Sequence, residues 1–105
     1  MFVNNFDRRL QSAAATGNGE AVELNGVRQL TAYITGSAGV SAGAVQLEHA
    51  PSKDYTGTWA ALGAATTVVA NTTNAVSVQA TVKAVRARIS TPITGGTVTV
   101  LLVAN

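Results

Sequence analysis

There is no cysteine among the 105 residues, so neither a disulfide framework nor a thiolate metal site is open to this chain. Histidine occurs once and proline twice, and aromatic residues make up 5%. Charged residues reach only 11%, against roughly 25% in an average globular protein. Such a sparse charge works against a small free monomer, whose solubility normally rests on a well-charged surface. Burial between subunits, in a homo-oligomer or on a larger partner, is therefore expected.

Other shortages exclude other partners. The net charge of +2 is the balance of seven Lys/Arg, spread along the chain, against five Asp/Glu, without the basic stripe and interleaved aromatics of a nucleic-acid binder. No segment approaches the roughly 18–20 apolar residues of a membrane-spanning helix. Neither nucleic acid nor membrane is an expected partner. The N-terminal MFVNNFDRRLQSAAAT sets apolar residues ahead of Asp-Arg-Arg, the reverse of a secretory signal, so export by the usual route is not expected.

Catalytic vocabulary is equally thin. His49 has Glu48 and Asp54 near it in sequence, but successive strand residues point to opposite faces. The acids Asp7, Glu20, Glu23, Glu48 and Asp54 are scattered, there is no G-x-S-x-G elbow, and Gly36–Gly43 lacks the Lys-Ser/Thr of a P-loop. No enzymatic activity, metal or cofactor is expected.

What is present is β-pattern from Ala21 onward. Val22 and Leu24 flank Glu23, and Asn25-Gly26 signals a type I′ hairpin turn. Val27–Thr35 alternates with Leu30, Ala32 and Ile34 on one face, and Ala44–His49 with Val45 and Leu47. After the polar Ala50–Thr58 turn region, Ala60–Val69 holds one or two short strands and Asn71–Asn74 a turn. Ala75–Thr81 then directs Val76, Val78 and Ala80 inward. The last segment, VKAVRARIS-TPITGG-TVTVLLVAN, reads as a closing hairpin. A weak echo joins two regions: V-R, strand, I-T-G, alternating strand occurs at Val27–Leu47 and again at Val85–Val100.

The chain is short enough for one core only. These patterns predict an all-β, single-domain β-sandwich, jelly-roll-like, of seven to eight short antiparallel strands over residues 17–105. Residues 1–16 are expected as an extended N-terminal arm. Phe2, Val3, Phe6 and Leu10 would be its apolar anchors, since the stretch around Asn4-Asn5 is poor helix material.

Three features bear on function. Arg86 and Arg88 project from one strand face, where they either meet solvent or pair with carboxylates on a partner. Leu101 and Val103 have the opposite parity to Val98, Val100 and Leu102, so the last strand is apolar on both faces. Its outer face should be covered by the arm or by another subunit. Trp59 reads first as an anchor capping one end of the sandwich; the alternative is a sugar-stacking platform shared with Tyr55.

The blocks GAVQLEHAPSKDYTGTWAAL and VRARISTPITGGTVTV resemble small all-β virion proteins of tailed bacteriophages, and most of all head decoration or cement proteins. The resemblance covers about a third of the chain. It implies a non-enzymatic protein on the capsid exterior that staples neighbouring copies of the major capsid protein. On that reading the arm residues Phe2, Val3, Phe6, Arg8, Arg9 and Leu10 would reach over a neighbour, with Arg86, Arg88, Leu101 and Val103 as further contacts. A carbohydrate- or receptor-binding module and a tail or neck subunit are the alternatives.

Overall fold

In the computed structural model, which describes residues 6–24, 29–79 and 81–104, there are nine strands and no helix among the described residues. They are β1 (Phe6–Ala14), β2 (Val22–Glu23), β3 (Gln29–Gly36), β4 (Ala42–Ala50), β5 (Ala60–Ala61), β6 (Thr66–Thr67), β7 (Thr73–Gln79), β8 (Ala84–Thr94) and β9 (Val98–Ala104). Two antiparallel sheets result. One has four strands in the order β1-β9-β3-β7; the other has five, in the order β2-β8-β4-β5 with β6 also on β4. The expected all-β sandwich is what forms.

Alternation explains the core. Leu30, Ala32 and Ile34 of β3 are buried, as are Val98, Val100 and Leu102 of β9. Facing them from the other sheet are Val45 and Leu47 of β4 and Val85, Ala87 and Ile89 of β8. A period of two on each strand thus lines one shared interior.

The closing segment is not a hairpin. β8 lies in the five-stranded sheet and β9 in the four-stranded one, so the chain at 95–97 crosses between layers. The same holds for β3 and β4, joined by the loop at 37–41. The two crossings lie side by side: Ser37 N–H donates to the Thr97 carbonyl at 2.9 Å, and Thr97 N–H to Ser37 Oγ at 2.9 Å. Gly39 and Gly95, both at positive φ, meet where the crossings touch. Because β3 pairs with β9 and β4 with β8, the two crossings run in opposite senses. The repeated I-T-G motif therefore ends a strand at each of two equivalent crossings.

The Asn25-Gly26 turn lies outside the described residues, but β2 and β3 on either side of it also belong to different sheets. One expected turn region does join paired strands: the chain at 51–59 brings Ala60 and Ala61 back opposite His49 and Glu48.

Residues expected as an arm are instead part of the sandwich over Phe6–Ala14. β1 pairs along β9, from Phe6 opposite Ala104 to Ala14 opposite Val98, with two register shifts. Leu10 is buried, and Gln11 Nε2 donates to the Ala87 carbonyl of β8 at 2.7 Å. The following residues run along the other sheet: Ile89 and Ile93 of β8 donate backbone N–H groups to the Gly17 and Ala15 carbonyls. β1 and its continuation close one side of the sandwich. β1 satisfies its backbone polar groups in the ladder with β9, with irregularities at its two register shifts.

Candidate functional site

The outer face of the five-stranded sheet carries a charge cluster that is already complete. Glu48 on β4 lies opposite Arg86 on β8, and Gln46 opposite Arg88. Arg86 Nε donates to Glu48 Oε1 and Arg88 Nε to Oε2, each at 2.9 Å. The Glu48 side chain is only 9% exposed between them. Sequence parity alone reads Glu48 as an outward, solvated residue; it is enclosed because two arginines on the neighbouring strand bracket it.

Trp59 extends the cluster through Arg86. The loop after β4 folds back over this face, and the Arg86 guanidinium sits 4.4 Å from the indole centroid in a cation–π contact. The indole N–H donates to the Tyr55 carbonyl at 3.1 Å. With Ala50 and Ala84 beneath it, Trp59 forms a small second core and is 7% exposed. It offers no open ring face for a sugar. Tyr55, by contrast, is 40% exposed and stands beside a shallow cleft of about 290 Å³ whose polar lining includes His49, Thr58, Thr81 and Lys83.

The outer face of the four-stranded sheet differs in kind. One row of register-matched residues reads Arg9, Leu101, Tyr33, Ala75 from β1 across to β7. Leu101 is 36% and Tyr33 41% exposed. A neighbouring row places Val103 beside Thr31 and Ser77, whose hydroxyls hydrogen-bond at 3.1 Å; Thr35 and Thr73 do the same at 2.9 Å. β1 lies beside β9 in the sheet plane, so it covers that strand's edge, while Leu101 on the outer face stays exposed among the described residues.

The residues singled out in the sequence therefore separate. Arg86 and Arg88 share one sheet face with Trp59; Arg9, Leu101 and Val103 share the other. Leu10 belongs to the core. Phe2 and Val3 lie outside the described residues, while Phe6 and Arg8 are placed by backbone register opposite Ala104 and Leu102. No three acidic or histidine side chains come together as a metal-binding group among the described residues.

No family model matches the chain, and no curated protein is significantly similar to it. Solved structures do share its fold. The SPBc2 prophage-derived protein YomS superposes with a TM-score of 0.77 at 21% identity, over 99% of this chain and 96% of that one. The PBSX exported protein XepA gives a TM-score of 0.71 at 21% identity, over 96% of this chain but 37% of XepA, so the chain spans little more than a third of that protein. Its fold is thus that of phage-derived proteins.

Proposed function

We propose that this chain is a non-enzymatic structural protein of a phage particle, a decoration or cement subunit on the capsid exterior that binds the major capsid protein through the outer face of its four-stranded sheet. The observation that carries this reading is the Leu101–Tyr33 row with its hydroxyl-bearing neighbours, a partly apolar face on which Leu101 and Tyr33 stay exposed among the described residues. Burying such a face costs little desolvation and gains apolar area. The phage-derived structural neighbours support the broader assignment to a phage protein. Arg86 and Arg88 are left out of the contact surface, because each is committed to Glu48.

The test is binding of the purified protein to expanded heads of the phage that encodes it. Leu101→Lys should weaken binding by about tenfold or more while circular dichroism stays unchanged, since it sets a charge in the middle of the proposed contact. Full-strength binding by that variant would refute the face, and a handful of copies per particle would favour a tail or neck subunit. The carbohydrate- or receptor-binding alternative now rests on Tyr55 and its cleft. Glycan binding abolished by Tyr55→Ala, with head binding intact, would favour it.

A further inference from the structure

The sandwich treats its edges unequally. In the four-stranded sheet the β1 edge carries Asp7, Arg8 and Arg9 in sequence and has two register shifts. In the five-stranded sheet the terminal strands β2 and β5 are two residues long, as is β6. Charge, bulges and brevity are the usual means of preventing edge-to-edge pairing. β7 has none of them. Its sequence is TNAVSVQ, seven residues without charge or proline, and it pairs with β3 from Gln79 to Thr73 without a register shift. Among the described residues no strand occupies its other edge.

A second observation concerns the core beneath that edge. Val76 and Val78 pack against the main core yet remain half-buried, whereas their counterparts Val98, Val100 and Leu102 on β9 are fully buried. The sandwich is closed on the β1 side and leaves apolar side chains partly wet on the β7 side.

We infer that β7 pairs edge to edge with β7 of a second copy, antiparallel about a two-fold axis near Val76, joining the two four-stranded sheets into one of eight strands. A two-fold interface sets a strand against itself, so any charge on it would face a like charge close by. The absence of charge from β7 meets that condition, and the β1 edge does not. Pairing would satisfy the outward N–H and C=O groups of β7 and bring Val76 and Val78 under cover of their symmetry mates. The inference stands independently of which particle surface the protein binds.

Ala75 and Ser77 are exposed and flank Val76, so lysines or glutamates there change the edge with little effect on the core. The full chain should elute with twice the 10.6 kDa chain mass by light scattering. The A75K/S77K and A75E/S77E variants should each show a dimer dissociation constant raised about tenfold or more, and an equimolar mixture should dimerise again. Should either variant fail to fold, hydrogen exchange of the unmodified chain provides the second measurement: β7 amides should gain protection as concentration rises. A monomer at all concentrations, an assembly unaffected by A75K/S77K, or β7 amides indifferent to concentration would each overturn the inference.

Discussion

Glu48 shows how much one side chain can depend on residues distant in sequence. Its carboxylate is held by Arg86 and Arg88, 38 and 40 positions away, and Arg86 in turn meets a ring brought in by a loop. Removing the carboxylate's charge leaves the partly buried Arg86 guanidinium without its counter-ion. Glu48→Gln should therefore cost about 2–4 kcal/mol in urea unfolding. Arg88 is 42% exposed at its side chain, and Arg88→Gln should cost less than about 1 kcal/mol. If the two losses are similar, the Glu48–Arg86 contact adds little beyond the Glu48–Arg88 one. A double-mutant cycle on Glu48 and Arg88 would measure the coupling directly.

Individual strands were legible in the alternation of apolar residues, and sheet membership was not. Leu30, Ile34, Val45, Leu47, Val100 and Leu102 share faces by parity, and all are buried. Parity separates inside from outside, but both sheets of a sandwich face the same interior, so it cannot say which strands pair. The closing segment looked like a hairpin for that reason. β1 was illegible for another: its bulges break the period, and its burial comes from Leu10 and Gln11 meeting strands near the other end of the chain. In the candidate site, Trp59 as an anchor and the apolar outer face of β9 could be read directly, whereas Glu48 between its arginines could not. Gly43 tests the element view. It sits at positive φ within the register shift of β4, and a side chain there would collide with Ile93 of β8. Gly43→Ala should destabilise the fold by about 1–3 kcal/mol, measured by thermal or denaturant unfolding. A neutral result would mean that the bulge can relax without loss.

For the molecule as a whole, the pairing of β1 with β9 matters most. The first described strand lies against the last, and β9 also fills the place between β1 and β3. A chain lacking residues 6–14 would lose an edge strand, the buried Leu10 and the Gln11 bond to β8, so it should unfold at markedly lower denaturant than the full chain. Retention of full stability would restore these residues to the status of an accessory arm. There is also a consequence in time. Until β9 is made, β3 lacks a sheet neighbour on one side and β1 has no sheet neighbour, so a ribosome-bound chain would hold an unfinished sheet with its apolar side chains uncovered. Refolding should accordingly be slow for a domain this small, in the range of milliseconds to seconds by stopped-flow fluorescence of Trp59. Protease resistance of this domain should therefore appear only once β9 is available to pair with β1 and β3.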